Sequence, residues 1–236
     1  MAEGPSRQLI DAFFKLSQAL FAGSDPDALF GHLVEQATAT VEGCDFASIS
    51  LLGAGGRITT PAASHSLVVE LDELQYRSGE GPCLEAVKEP APAVYGPDLA
   101  HDTRWPVFGP QAGARGIGSL VSNKIAADGT VGALNLYSRR TDAFDQADRD
   151  TAYLLAIFAA VVVASSQARL QAANLQDALE NRDVIGQAKG ILMEREKVTA
   201  DEAFEMLRRA SQRLNRKLRH LAEDIATTGE EPPFLG

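Results

Sequence analysis

The run from Met206 to Ala222, MLRRASQRLNRKLRHLA, contains six Arg or Lys side chains and no carboxylate. Guanidinium and ammonium groups bind phosphate, and the side-chain amides of Gln212 and Asn215 can hydrogen-bond to base edges. The chemistry expected of this run is therefore nucleic-acid binding. A charged helix face can also be merely solvated or contact a protein, so the run alone leaves the ligand open.

The net charge of −10 lies away from this basic run. Residues 1–166 contain 11 Lys and Arg against 20 Asp and Glu, whereas residues 167–228 contain 11 against 10. Because an acidic surface repels polyanions and a basic one attracts them, the distribution predicts a nucleic-acid-binding module at the end of the chain.

The residue types that catalyse reactions form no recognisable set. Cys83 begins a predicted helix, where the helix dipole can lower the pKa of a thiol, although a small apolar core residue is the alternative interpretation. Cys44 precedes the first predicted strand, and nothing places it beside Cys83. His65 has the chemistry of a haem ligand, but a single His beside serines is more often structural or solvated. We therefore expect no enzyme and no metal site, and the sequence names no cofactor.

The same sparse cysteines are typical of a reducing compartment. The N-terminus has no basic segment followed by an apolar one, so no secretory signal is predicted. The longest apolar run, from Ala152 to Ala164, rises only about 20 Å as a helix, whereas the hydrocarbon core of a bilayer is about 30 Å thick. We expect a cytoplasmic protein without a membrane span and interpret the run as a buried helix or a helix–helix interface.

Hydrophobic periodicity predicts a mixed α+β domain in residues 1–166. Two amphipathic helices come first, at residues 8–21 and 26–41. Strands and short helices follow, with strands near 46–52, 57–63, 93–95, 117–126 and 130–138, and helices near 67–76, 82–89 and 103–112. The last two strands surround Asp128-Gly129, a strong hairpin signal. This order predicts a largely antiparallel sheet with flanking helices.

A long helix should connect this domain to the basic end. It opens near Phe144 and contains no Gly or Pro from Asp145 until Gly186. Apolar residues recur in it at heptad-like spacing: Leu154, Phe158, Val161, Ala168, Leu175 and Leu179. The spacing predicts a homodimer through residues 150–180 and a rigid connection between the two parts.

Three helical segments are predicted after residue 174. Thr199 and Glu202 form a capping box, so a helix should start at Ala200. Its expected buried stripe is Ala203, Phe204, Leu207, Ala210 and Leu214. Gly186 and Gly190, inside the preceding helix, suggest the close approach of another helix or fraying. A third helix is predicted over residues 216–225.

Residues 178–193 and 199–218 resemble the ANTAR family, and the match extends over about residues 175–226 without a gap. That family is a three-helix RNA-binding module of bacterial antiterminators, which recognises paired stem-loops in nascent leader RNA. The resemblance implies that RNA is contacted by matching polar positions and two adjoining arginines: Lys189, Arg208, Arg209, Ser211, Gln212, Asn215, Lys217 and Arg219, with Arg182 further up the helix. It implies packing roles for another set: Ala188, Gly190, Met193, Ala203, Leu207 and Leu218.

The element order and the stretch 132–138, followed by Phe144 and Asp148, resemble a GAF domain over about residues 10–166. GAF domains bind small molecules between the sheet and overlying loops, or dimerise. Leu136 and Arg149 stand where the cyclic-nucleotide-binding pattern has Lys and Glu, so a cyclic-nucleotide ligand is not implied.

The expected architecture is α+β, with a GAF-like sensor domain at 1–166, an ANTAR-like RNA-binding domain at 167–228 and a disordered tail at 229–236. The expected function is that of a signal-responsive transcription antiterminator. Its partners would be a dual stem-loop RNA, a second copy of the chain and a small-molecule ligand of the sensor. Two alternatives stay open: a ligand-binding sensor whose basic helices dock a protein, and a DNA-binding regulator, although no clear helix-turn-helix turn is present.

Overall fold

The computed structural model describes residues 7–127 and 129–228. The chain divides into two compact units, Met1–Gln167 and Ala168–Gly236. The predicted disordered tail at 229–236 lies outside the described residues, and so does Asp128 of the predicted hairpin turn.

The N-terminal unit begins with two helices, α1 (Arg7–Phe21) and α2 (Pro26–Thr40). Asp25 caps α2, because its carboxylate accepts a hydrogen bond of 3.2 Å from the backbone N–H of Asp27. The strands are β1 (Phe46–Leu52), β2 (Ile58–Ala63), β3 (Ala93–Gly96), β4 (Ser119–Ala127) and β5 (Thr130–Ser138). Three α-helices lie between them, α3 (Ser66–Ser78), α4 (Pro82–Lys88) and α5 (Phe108–Ala114), together with two short 3-10 helices at Ala54–Gly56 and Leu99–His101.

The five strands form one antiparallel sheet in the order β2-β1-β5-β4-β3. The predicted hairpin of β4 and β5 is confirmed, and its two strands pair from Ala127 opposite Thr130 to Ser119 opposite Ser138. Gly129 has a φ of 82° in the turn, a left-handed conformation that glycine adopts without strain. The predicted α+β class with an antiparallel sheet is therefore correct.

The two faces of the sheet differ in chemistry. One face is apolar and packs against α1, α2 and the long helix through residues such as Ile49, Val121 and Leu134. The opposite face, toward α3 and α4, carries buried polar residues at alternate positions of three strands: Ser48, Ser50, Ser122, Asn135 and Tyr137. The strands therefore alternate between apolar and polar residues, and because helices cover both faces the polar side chains are buried as well as the apolar ones.

Helix α5 was predicted over 103–112 but begins only at Phe108. Its first N–H groups are capped from elsewhere in the chain. One Glu80 carboxylate oxygen accepts hydrogen bonds from the backbone of Val107 at 2.5 Å and of Phe108 at 2.8 Å. This partner is distant in sequence, so the local residues do not reveal the start of the helix.

The long helix α6 extends over Gln146–Glu196 and crosses the boundary between the two units. By length and composition it could cross a membrane. One side of its apolar run is buried in the N-terminal core, however: Ala152, Leu155, Ala156, Ala159 and Val162. A core helix accounts for this apolarity. On the other side, Leu154, Ile157 and Val161 are each more than two-fifths exposed. Phe158, which the heptad-like spacing placed in the dimer stripe, is buried in the N-terminal core instead, so the prediction is wrong at that position.

The C-terminal unit consists of the end of α6 together with α7 (Ala200–Leu214) and α8 (Leu218–Thr228). Its core is small and apolar: Ala188, Leu192, Ala203, Leu207, Ala210, Leu221, Ala222 and Ile225. The third helix starts two residues later than predicted. The reason is that Asn215 adopts the left-handed conformation, with a φ of 49°, and ends α7 there.

Candidate functional site

The start of α7 is fixed by the predicted capping box. The backbone N–H of Thr199 donates to the Glu202 carboxylate at 2.8 Å, and the N–H of Glu202 donates to the Thr199 hydroxyl at 3.4 Å. The Thr199 hydroxyl also donates to the Glu202 carboxylate at 2.8 Å, and the two hydrogen bonds that this carboxylate accepts lower its pKa, the one from the backbone N–H contributing most. The cap sets which residues of α7 point outward, because each residue turns the helix by about 100°.

Most residues predicted to contact RNA lie on the surface of the C-terminal unit. Lys189 and Ser211 are half-buried, and the others are exposed: Arg208, Arg209, Gln212, Asn215, Lys217 and Arg219. The structure therefore leaves these side chains accessible to a ligand, without testing which ligand it is.

Several arginines of the basic run are paired with carboxylates that lie outside the run. Arg208 contacts Glu205 at 2.6 Å, and Arg219 contacts Glu223 at 3.2 Å. All these side chains are about half exposed, so each pair contributes only about 0–1 kcal/mol and a phosphate can displace the carboxylate.

Two of the polar positions have local structural tasks. The Ser211 hydroxyl donates to the backbone carbonyl of Arg216 at 2.6 Å, across the turn between α7 and α8. Asn215 supplies the left-handed residue of that turn. Either side chain therefore shapes the surface, whatever else it contacts.

Three residues expected in the packing are instead at the surface. Phe204 and Met193 are each 37% exposed. A Cβ added at Gly190, or at Gly186, would meet nothing within 4 Å, so no helix of the described chain approaches closely there. The packing predictions for Phe204, Met193 and Gly190 are wrong, whereas Ala188, Ala203 and Leu207 are fully buried as predicted.

The exposed aromatic ring of Phe204 lies beside a basic residue of α6. The Nζ atom of Lys189 is 5.9 Å from the centroid of the Phe204 ring. Arg208 follows Phe204 by four residues on α7, which places both on one side of that helix. Two of the predicted RNA-contacting residues thus flank an aromatic ring that the sequence pattern assigned to the core.

A polar cluster fills the space between the sheet and α3 in the N-terminal unit. Asp72 is fully buried and accepts hydrogen bonds from the Tyr137 hydroxyl, from the Thr60 hydroxyl at 3.1 Å and from the Asn135 amide at 3.3 Å. Burial raises the pKa of the Asp72 carboxyl to about 6, against the opposing effect of these hydrogen bonds. The Asn135 amide also donates to the Ser50 hydroxyl at 2.9 Å.

The cluster reaches the surface through Tyr76. Its hydroxyl donates to Ser50 at 2.7 Å and lies 2.9 Å from the Thr60 hydroxyl. Thr60 and Tyr76 also line an open cleft of about 760 Å³ between β2, α3 and α4. Arg57, Arg77 and Lys88 line the same cleft, so its wall carries three cationic side chains.

Cys83 lies in this interior rather than at a reactive surface. It is fully buried, and burial together with the charge of Asp72 raises the pKa of its thiol to about 12. The alternative of a thiol activated by the helix dipole is therefore wrong. His65 has a structural task, because its Nδ1 accepts a hydrogen bond of 3.0 Å from the Leu67 N–H at the start of α3.

Sequence reasoning did not identify Asp72, Thr60 or Tyr76. The available signal was the polar face of β1, where Ser48 and Ser50 alternate with apolar residues. A buried polar strand face needs hydrogen-bonding partners, and these come from α3 and β5.

Comparison with known proteins gives two family matches. The GAF domain family matches residues 23–164, and the ANTAR domain matches residues 173–225. No curated protein sequence matches this chain significantly.

Several solved structures share the fold of this chain. The GAF domain of a phosphoenolpyruvate-protein phosphotransferase from Coxiella burnetii has 16% identity and a TM-score of 0.55, over 70% of this chain and 98% of that chain. The phycoerythrobilin-bound GAF domain of a cyanobacterial phytochrome has 14% identity and a TM-score of 0.54, over the same shares. The photosensory core module of the Stigmatella aurantiaca phytochrome has 10% identity and a TM-score of 0.57, over 83% of this chain and 43% of that chain. At these identities the similarity shows the fold.

Proposed function

Because the chain belongs to the GAF domain family and carries an ANTAR domain after its GAF domain, we propose that it is a transcription antiterminator that binds paired stem-loops of nascent leader RNA under control of the GAF sensor. The observation that carries the proposal is the set of exposed basic and amide side chains on the ANTAR domain. With the half-buried Lys189, the exposed Arg208 and Gln212 combine phosphate-binding and base-reading chemistry within one three-helix unit.

The ligand of the sensor is proposed to be a small molecule that binds in the cleft between β2, α3 and α4. The hydroxyls of Thr60 and Tyr76 offer hydrogen bonds there, and both connect to the buried Asp72 cluster. Each hydroxyl has a single hydrogen, which it donates to Asp72 or to Ser50, so a ligand that accepts a hydrogen bond from either one must displace that internal bond. Ligand binding in the cleft would therefore change the hydrogen-bond network inside the sensor domain.

We propose further that the protein acts as a homodimer through α6. The exposed apolar residues Leu154, Ile157 and Val161 lie three and four positions apart and so form one stripe. A second copy would cover this stripe, and the dimer would carry two ANTAR domains for two stem-loops. Two linked contacts with one RNA bind more tightly than either contact alone.

The RNA-binding proposal is tested with a Lys189→Ala/Arg208→Ala double variant of the full chain. We expect the variant to keep the helical circular dichroism of the wild type and to lose most of its affinity for a two-hairpin RNA in a filter-binding assay. A Lys15→Ala/Arg140→Ala variant is the matched control, because it removes the same charge from exposed positions of the N-terminal unit.

Three results are informative. Unchanged affinity of the folded double variant removes these two residues from the site. Equal losses in both double variants indicate a general charge effect instead of a site. Tighter binding to duplex DNA or to single hairpins than to the two-hairpin RNA contradicts the proposed ligand.

A further inference from the structure

Phe204 is an aromatic side chain that the fold does not need in its core. The neighbouring apolar positions of α7, Ala203, Leu207 and Ala210, are at most 1% exposed, whereas Phe204 is 37% exposed. Burying a phenylalanine contributes about 1.5–3 kcal/mol relative to leaving it exposed, so about a third of that stabilisation is forgone here. The ring is available for a contact outside the chain.

The surroundings of the ring are basic. Lys189 approaches the Phe204 ring from α6, and Arg208 lies one turn further along α7. The guanidinium group of Arg208 is held by Glu205 at 2.6 Å, in a pair that is half exposed and easily exchanged. An aromatic ring with one cation beside it and a second one turn along the same helix matches the chemistry of a nucleotide, which joins a flat base to a charged phosphate.

We propose that Phe204 stacks against an unpaired base in the loop of an RNA hairpin, while Lys189 and Arg208 hold the adjoining phosphates. This inference rests on the proposed RNA-binding function and adds to it the part of the RNA that is read. The deep, narrow major groove of an RNA stem hides its base edges, whereas loop bases are unstacked and can turn outward. A ring at the surface of a helix can reach a loop base but not a paired one.

The test uses the full chain and RNA selected by the wild-type protein from a pool of two-hairpin RNAs with randomised loops. Phe204→Leu keeps an apolar side chain and removes the ring, whereas Phe204→Tyr keeps the ring. A stacked base contributes enough that the leucine variant should bind about 5- to 150-fold more weakly. The tyrosine variant should stay within about threefold of the wild type, since its ring still stacks.

A second measurement identifies the base. Each loop nucleotide of the selected RNA is replaced in turn by an abasic one, which keeps the phosphate. One replacement should weaken binding by wild-type protein at least about fivefold and should leave binding by Phe204→Leu nearly unchanged, because the leucine variant has no stack to lose. If the leucine variant fails to fold, the abasic series with wild-type protein still tests whether one loop base contributes to binding.

The outcomes separate this inference from the function it rests on. If the pool yields no RNA that binds, the RNA-binding proposal fails and the stacking proposal fails with it. RNA binding that survives Phe204→Leu, or that tolerates every abasic replacement, overturns the stacking proposal alone. A loss with Phe204→Leu that is equal on intact and abasic loops overturns it as well, and indicates an apolar contact with something other than a base.

Discussion

The buried carboxyl of Asp72 should make the stability of the GAF domain depend on pH. Its pKa is raised to about 6 from an ordinary value of 3.8, mainly by burial. A carboxyl that binds its proton more tightly in the folded state adds to the free energy of unfolding, and this contribution is fully present below about pH 4. That contribution is lost as the pH rises to about 6 and is gone above it. The pKa difference corresponds to roughly 3 kcal/mol, a large share of the stability of a typical domain.

Asp72→Asn removes this titration and preserves the shape of the side chain. The Tyr137 hydroxyl can still donate to the amide oxygen, and the Thr60 hydroxyl can accept from the amide NH2 in place of donating to Asp72. Relative to the wild type, the variant should therefore become more stable by roughly 3 kcal/mol as the pH rises from 4 to 7.

Urea unfolding followed by tryptophan fluorescence measures this change in the full chain. Trp105 is the single tryptophan of the sequence, and it is 2% exposed in the core of the GAF domain, so its signal reports that domain. Asp11→Asn, an exposed substitution in the same N-terminal unit, controls for the loss of one negative charge. If the unfolding free energies of wild type and Asp72→Asn stay parallel between pH 4 and 7, the carboxyl does not titrate there and the reasoning is refuted.

Three further predictions concern RNA binding, assembly and helix stability. If three to five basic side chains reach phosphates, the logarithm of affinity against the logarithm of salt should slope at about −2 to −4, and Gln212→Ala should reduce discrimination between RNA sequences without changing that slope. Ile157→Asp should dissociate the dimer, as measured by sedimentation, and leave each domain folded. Ile157 is chosen because it is exposed, whereas the adjacent Phe158 is a core residue. A wild-type protein that sediments as a monomer contradicts the α6 interface. Gly190→Ala should raise the melting temperature, because it favours the helix by about 0.5–1 kcal/mol and its Cβ meets nothing within 4 Å. Lower RNA affinity of that folded alanine variant would instead place the glycine against the ligand.

Local signals in the sequence predicted most of the fold. The Asp128-Gly129 dipeptide marked the β4–β5 hairpin, and the capping box marked the first residue of α7. These features depend on residues only a few positions apart, which is why pattern and turn chemistry suffice. The late start of α5 depends on Glu80, more than 20 residues away, and no local pattern contains that information.

The buried side of α7 was predicted correctly except at Phe204. Ala203 and Phe204 are adjacent, and helical periodicity alone allows both apolar residues in the buried stripe. Small residues at a helix contact let the helices approach closely and narrow the arc that is covered, and Ala188, Ala203 and Ala210 all lie in this core. The bulky ring therefore falls outside the contact. Its position depends on the sizes of residues on two helices, which a single helical pattern does not show.

The basic run on its own did not reveal the carboxylates that pair with its arginines. No carboxylate occurs within residues 206–222, yet Glu205 and Glu223, just outside its two ends, pair with Arg208 and Arg219. An RNA phosphate must replace these carboxylates. Because the paired arginines are already partly neutralised, RNA binding releases fewer counterions, and gains less affinity, than the number of basic residues suggests. Exposed pairs of this kind contribute at most about 1 kcal/mol each, so they lower affinity without blocking the surface. They also hold the arginine side chains in place before the ligand arrives, which reduces the entropy lost on binding.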